Sequence, residues 1–193
     1  MSDNFKKIRI LTECAIMVAL SCVLSVITVY KLPQGGGITA FSQVPIIILS
    51  YRHGLKWGAF SGFVLSIFQM ITGFVNFSYV NTVWAYIAVA MLDYLVAFTV
   101  LGFGGMFRNK IKNQALSIGL GAGIVSFARL ICHFLSGVTV WADYADGWKN
   151  VWVYSLAYNG SYMGIETAIT VIGVVLLSAV LDFSKPDLIR KRK

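Results

Sequence analysis

Five side chains of the kind that lipid excludes stand inside apolar runs of the sequence: Asp93, Arg129, His133, Asn159 and Glu166. A charge at the centre of a membrane helix costs about 2.5–3.5 kcal/mol on insertion scales. Residues that persist at that cost mark a partner, a watery cavity or a substrate path. Their spacing is ordered. Arg129, His133 and Gly137 recur at intervals of four, with Trp141 four further on, so on a helix they form one nearly axial stripe. Downstream, Ser155, Asn159 and Glu166 share a face, flanked by a second stripe of Tyr154, Tyr158 and Tyr162. Asp93 and Tyr94 lie on the preceding helix and can face both stripes. The set is a pocket with an acid, an imidazole, an amide, aromatic faces and a glycine that leaves room. A buried carboxylate among rings suits an organic cation, with cation–π contact of roughly 0.5–2 kcal/mol per ring. Imidazole and amide add directional hydrogen bonds to a heteroaromatic edge. Arg129 argues against a simple cation hole; it pairs with Asp93 or Glu166, or meets a hydroxyl or phosphate.

Each element also has a plainer reading. Asp93 and Arg129 can be a structural ion pair, and His133 a helix-packing residue. Trp141, Trp148 and Trp152 can be an interfacial belt. The glycines of Gly119-Leu-Gly121-Ala-Gly123 fit close helix contact and lack the strand–turn–helix setting of a nucleotide loop. The convergence of several such groups favours the pocket. Two other function classes stay open: a proton-coupled carrier relaying through Asp93, Arg129 and His133, without the twofold repeat many carriers show, and an intramembrane enzyme using His133 as acid–base. The sequence holds no HExxH, paired-histidine metal motif, GxSxG or GxxxxGK[ST] loop. We therefore expect no catalytic residue, metal site or cofactor, and any ATP chemistry has to come from partners.

The elements that position these groups are membrane helices. Charged residues make up 12% of the 193 residues and hydrophobic ones 58%, against roughly 25% charged in soluble domains. Apolar residues come in runs rather than barrel-like alternation. The pattern predicts one all-α membrane domain over 1–193 with six transmembrane helices near 10–30, 39–50, 55–72, 83–107, 115–140 and 151–183. The net charge of +8 is clustered: Lys6, Lys7 and Arg9 precede the first span, and Arg52 with Lys56 and Arg108 with Lys110 and Lys112 occupy turns. Lys185, Arg190, Lys191, Arg192 and Lys193 form the tail. By the positive-inside rule these mark the cytoplasmic side, both termini included, and meet anionic lipid rather than nucleic acid. Lys31–Gly37 and the aromatic Phe74–Asn81 are external loops, the first with a mobile backbone. Cys14, Cys22 and Cys132 follow no metal-like spacing and read as reduced packing residues. The first run, lacking a small-residue cleavage pattern, is a retained helix.

At these residues the sequence resembles the thiamine-specific substrate-capture components (S components, the ThiT family) of energy-coupling-factor (ECF) vitamin transporters. The resemblance lies in Glu13-Cys-Ala-Ile-Met-Val-Ala19, Leu32-Pro-Gln-Gly-Gly36 followed by Val44-Pro45, and Leu92-Asp-Tyr-Leu-Val-Ala-Phe98. It continues in Arg129-Leu-Ile-Cys-His-Phe-Leu-Ser-Gly137 and Val151-Trp-Val-Tyr-Ser-Leu-Ala-Tyr-Asn-Gly-Ser-Tyr-Met163. It implies the family's six-helix S-component fold and a site for thiamine, a thiazolium joined to an aminopyrimidine. That site would be made of Asp93, Tyr94, Arg129, His133, Gly137, Trp141, Tyr154 and Asn159. It also implies capture from outside the plasma membrane for ATP-driven uptake, with Ala15 and Ala19 facing a transmembrane coupling subunit that binds two ATP-hydrolysing subunits. Another vitamin, pyridoxine or hydroxymethylpyrimidine, is the nearest alternative substrate. Some family members carry glutamate in place of Asp93 and lysine in place of Arg129. Gln34–Gly37 lacks a tryptophan found in some first external loops, and the stretch between Gly73 and Asp93 is longer than the family pattern.

Overall fold

A computed structural model describes residues 3–32, 35–185 and 189–190, the last two by backbone only. Pro33 and Gln34 of the first external loop, Lys191–Lys193 and the side chain of Arg190 lie outside the described residues. The chain is a helical bundle. Its principal helices are α1 (Asp3–Val26), α2 (Val44–His53), α3 (Leu55–Thr72), α4 (Val83–Phe103), α5 (Gln114–Thr139) and α6 (Val151–Val180). Of these, α1, α4, α5 and α6 are long and apolar enough to cross a membrane.

α2 departs most from the expected span. It has ten residues, about 15 Å of helix against roughly 30 Å of hydrocarbon. Every residue from Val44 to Arg52 is buried, so α2 is a plug enclosed by its neighbours. It begins at Val44 rather than near Thr39 because Pro45 is at home only in a first turn, where its missing N–H is not needed. It runs on to His53 and stops at Gly54, whose φ of 92° suits glycine and turns the chain into α3.

α1 is shifted toward the N-terminus of its expected range. The run Val26-Ile27-Thr28-Val29 is β-branched throughout, which disfavours helix and favours strand. Accordingly β1 (Thr28–Lys31) pairs antiparallel with β2 (Gly37–Thr39), with Thr28 opposite Thr39 and Lys31 opposite Gly37. Where a mobile loop is expected, the described part of this segment is a hairpin. Phe74–Tyr79 is likewise a 3₁₀ helix, not an open loop, because Phe77 stacks between Tyr86 and Tyr94, each ring centroid 5.8 Å away.

α4 contains a π-helical stretch, Ala90–Leu95, and ends in 3₁₀ geometry at Val100–Phe103. It stops short of the expected 107 because Gly104 and Gly105 pack against α2. Thr82, Asn113 and Asn150 cap α4, α5 and α6, each side chain accepting a backbone N–H. At the far end α6 gives way at Leu181 to a short strand β3 (Leu181–Asp182), paired with β4 (Ile189–Arg190). There the Gln114 amide donates to the Ser178 and Leu181 carbonyls and accepts the Phe183 N–H, satisfying groups the helix leaves open.

α5 and α6 pack along their length, and the core runs from Ile46, Ile47 and Leu65 to Leu101, Ile118, Ala122 and Val174. Gly121 lies against the Gly104 carbonyl and Gly119 against Val175, while a side chain at Gly123 would meet open space. Cys14 is buried, Cys22 and Cys132 are half-buried, and all three are free. Ala15 and Ala19 are exposed on α1, among Leu11, Ile16 and Leu20. The basic turns, after α2 and after α4, lie at one end of the bundle. The β1–β2 hairpin, the end of α3 and the start of α6 lie at the other.

Candidate functional site

A cavity of about 450 Å³ opens at that second end, and Asp93, Tyr94, Arg129, His133, Gly137, Trp141, Tyr154 and Asn159 all line it. Pockets of roughly 300–1,000 Å³ are the usual size for small organic ligands. Three helices, α4, α5 and α6, and the turn after α5 supply these residues, and local geometry explains why they converge.

Asp93 and Tyr94 stand on the π-helical stretch of α4. One wider turn re-aims side chains relative to a regular helix, and such stretches recur at functional sites. The Asp93 carboxylate accepts from three donors. Its Oδ1 is 3.2 Å from His133 Nδ1, while Oδ2 accepts from Ser136 Oγ at 2.8 Å and Trp141 Nε1 at 3.1 Å. Ser136 and Trp141 are uncharged donors, and no guanidinium or ammonium group among the described residues is recorded against this carboxylate. His133 is thereby oriented through Nδ1, and its Nε2 is buried without a hydrogen-bond partner.

Arg129 does not pair with Asp93. Its Nη1 donates to Glu166 Oε2 at 2.5 Å, both side chains are buried, and the guanidinium lies 4.4 Å over the Phe98 ring. Arg129 Nε has no partner. The ion pair on the far wall of the cavity is thus Arg129–Glu166, and the Asp93 charge is left without a protein guanidinium. Distance along the helices separates the two acids: Asp93 sits opposite the end of α5, Glu166 nearly two turns deeper on α6 than Asn159.

Asn159 lines the cavity but is already committed. Its Nδ2 donates to the Ser155 carbonyl at 3.0 Å and lies within reach of the His133 carbonyl, while Oδ1 accepts from Tyr162 Oη at 3.1 Å. Tyr94 is similarly engaged: its hydroxyl donates to the Gly73 carbonyl at 3.0 Å and accepts from Asn76 Nδ2 at 2.9 Å. Both therefore shape the wall as much as they face the interior. Gly137 permits the close approach of α5 and α6, since a Cβ there would collide with Ser155 Oγ.

The tyrosine stripe of α6 forms an aromatic wall, Tyr154 against Tyr158 at 5.9 Å and Tyr158 against Tyr162 at 6.0 Å between ring centroids. Trp141 leans on Tyr144 and Tyr79. Tyr158, Tyr162 and Glu166 join the lining; the same i, i+4 spacing that placed Asn159 places them. The hairpin, in the place of the expected external loop, also forms part of the wall. Thr28, Lys31, Gly36, Gly37 and Thr39 face the cavity, the Gly36 N–H reaching Tyr158 Oη at 3.3 Å and the Thr39 hydroxyl Glu166 Oε1 at 2.5 Å. The signal for it was the β-branched run closed by three glycines.

Residues 11–184 match the family model described as thiamine transporter protein (Thia_YuaJ). The chain is similar to thiamine transporter ThiT of Bacillus subtilis (strain 168), 31% identical over 91% of this chain and 93% of that protein. It is also similar to thiamine transporter ThiT of Lacticaseibacillus paracasei, 32% identical over 96% of this chain and 95% of that one. The fold is that of the solved structure of ThiT from Listeria monocytogenes, with a TM-score of 0.73 at 23% identity over 89% of this chain and 94% of the other. The chain belongs to the thiamine transporter family and is a multi-pass protein of the cell membrane.

Proposed function

We propose that this chain is the substrate-capture subunit of an ECF-type importer, taking thiamine from outside and passing it on by ATP-driven release. The observation that carries the substrate is Asp93: a half-enclosed carboxylate beside the cavity, contacted by Ser136, Trp141 and His133, while the nearby guanidinium is spent on Glu166. A buried anion without a compensating cation is costly, and a thiazolium supplies the missing charge. The rings of Trp141, Tyr154 and Tyr158 offer faces to a flat cation. His133, on the same lining, is held to Asp93 through Nδ1.

The site consists of those eight lining residues. The termini and basic turns face the cytoplasm by the positive-inside rule, which turns the cavity outward. The six helices form the membrane domain, with α2 enclosed rather than lipid-facing. Ala15 and Ala19 leave a shallow, apolar strip on α1 for a coupling subunit's helix, and two ATP-hydrolysing subunits drive the cycle.

Calorimetry on the purified chain tests the substrate: saturable thiamine binding is expected, with pyridoxine and hydroxymethylpyrimidine competing weakly. A preference for either competitor overturns the assignment. Uptake that stops on ATP depletion and survives collapse of the proton gradient supports the importer; the opposite pattern supports a proton-coupled carrier.

A further inference from the structure

Glu166 is used by neither the cation site nor the helix packing alone. Its two carboxylate oxygens serve two different parts of the molecule. Oε2 takes Arg129 Nη1 at 2.5 Å from α5. Oε1 takes both the hydroxyl of Thr39 at 2.5 Å and its backbone N–H at 3.3 Å from β2. Because the Thr39 hydroxyl gives its proton to Glu166, the Ser42 hydroxyl, 2.6 Å away, donates to Thr39. A continuous chain therefore runs from Ser42 through Thr39 and Glu166 to Arg129.

The hairpin needs such a fastening. Two short strands are marginal on their own in water, yet β2 and the glycines before it form one wall of the cavity. Among the described residues, the side-chain hydrogen bonds tying β2 and the preceding glycine to α6 are Gly36 to Tyr158 and Thr39 to Glu166. Only the second involves a charge, and hydrogen bonds to a charged acceptor are roughly twice as strong as neutral ones. Buried ion pairs seldom stabilise a fold more than apolar packing would, so the Arg129–Glu166 pair calls for another use.

We infer that Glu166 is a positioning residue that fastens the β1–β2 hairpin to Arg129 across the cavity wall and so sets how slowly bound ligand leaves. The inference rests on thiamine being the ligand. Its signature is kinetic: loosening the wall speeds escape, while the encounter of ligand with the open site changes little.

The experiment is stopped-flow tryptophan quenching of the full-length protein by thiamine. Absence of saturable quenching in the unaltered protein overturns the substrate assignment and leaves the inference about Glu166 without a ligand, a result distinct from those below. Thr39→Val keeps the shape and the backbone N–H and leaves the Arg129–Glu166 pair intact. It is expected to raise koff about tenfold, with kon within about threefold, the effect of one charge-assisted hydrogen bond. Thr39→Ser, which restores the hydroxyl, is expected within about twofold of the unaltered protein. In a Glu166→Gln background the acceptor is neutral, so the same Thr39→Val change should raise koff by about threefold or less. A koff for Thr39→Val within twofold of the unaltered protein overturns the inference, as does an equal factor in both backgrounds. Should Glu166→Gln fail to fold, the Val and Ser variants decide alone.

Discussion

The two ends of the bundle carry nearly the same ingredients and use them in opposite ways. At the basic end, Glu13 of α1 meets Arg52 and His53 of α2. Arg52 Nε and Nη2 both donate to the carboxylate, and His53 Nε2 lies 2.9 Å from Oε2. Arg52 also donates to the Lys185 carbonyl and receives Arg108 on its own carbonyl. At the cavity end, Asp93 meets His133, Ser136 and Trp141, with the arginine turned away to Glu166. An acid, an imidazole and an arginine thus make a closed tie in one place and an open site in the other. Whether the guanidinium reaches the acid decides which. Where it does, charge is balanced by the protein and the cluster joins helices; where it does not, the balance is left to a guest.

The widest gap between the two ends is expected from neutralising the acids. Asp93→Asn should weaken thiamine binding by about 100-fold or more, roughly 3 kcal/mol, the scale of one charge pair lost from an enclosed site. Glu13→Gln should leave Kd within about twofold and instead lower thermal stability, since it removes the carboxylate charge facing the buried Arg52, at a cost of up to about 3 kcal/mol. Calorimetry and a thermal-shift assay on both variants read the two quantities. Asp143→Asn, in the loop after α5, serves as a neutral control. Equal loss of affinity at Asp93 and Glu13 would abolish the distinction between site and tie.

The distinction was partly legible in the sequence. The four-residue interval from Arg129 to Trp141 and the stripes of α6 are helical facts, and six residues they single out line one cavity together with Asp93 and Tyr94 of α4. Partner choice was not legible. Asp93–Arg129 and Glu166–Arg129 are equally allowed by spacing, and the structure selects the second because the π-helical stretch aims Asp93 at the end of α5 rather than at its middle. α2 and the hairpin escaped for a related reason. An apolar run of ten residues reads alike whether it is a truncated span or an enclosed plug. A β-branched exit from a helix declares itself as strand only once a partner, here Gly37–Thr39, lies alongside. Local propensity is a weak guide where tertiary contact supplies the deciding hydrogen bonds.

Glycine substitutions probe the same contrast through space rather than charge. Gly137→Ala places a methyl group against Ser155 and toward Asn159 Nδ2, so α5 and α6 must part where they frame the cavity. A cost of about 1–3 kcal/mol is typical of such overpacking, and binding should weaken about two- to tenfold if half of it falls on the site. Gly160→Ala, on the next helix, meets nothing within 4 Å and should be neutral or stabilise α6 by up to about 1 kcal/mol. Thermal shift and calorimetry together separate the two positions; a Gly160→Ala loss as large as that at Gly137 would mean that helix separation is not what Gly137 guards.

The smallest expected effect is the most pointed one. Trp141 does two things at the cavity: it offers an aromatic face, and it donates Nε1–H to Asp93 Oδ2 at 3.1 Å. Trp141→Phe keeps a ring and removes the donor. Asp93 retains Ser136 at 2.8 Å on the same oxygen and His133 on the other, so the carboxylate is under-solvated rather than abandoned. A single hydrogen bond to a charged group is worth about 1.5 kcal/mol at the lower end, and some of that returns because a less-satisfied carboxylate attracts a cation more strongly. The net loss of affinity should be about threefold. Because Trp141 would itself report quenching, calorimetry is the measurement that decides. If the cavity takes a cation, Trp141→Phe must weaken binding far less than Asp93→Asn; if it takes a neutral or anionic guest held by Arg129, the two variants should differ little, and the carboxylate would have to be read as a second tie like Glu13.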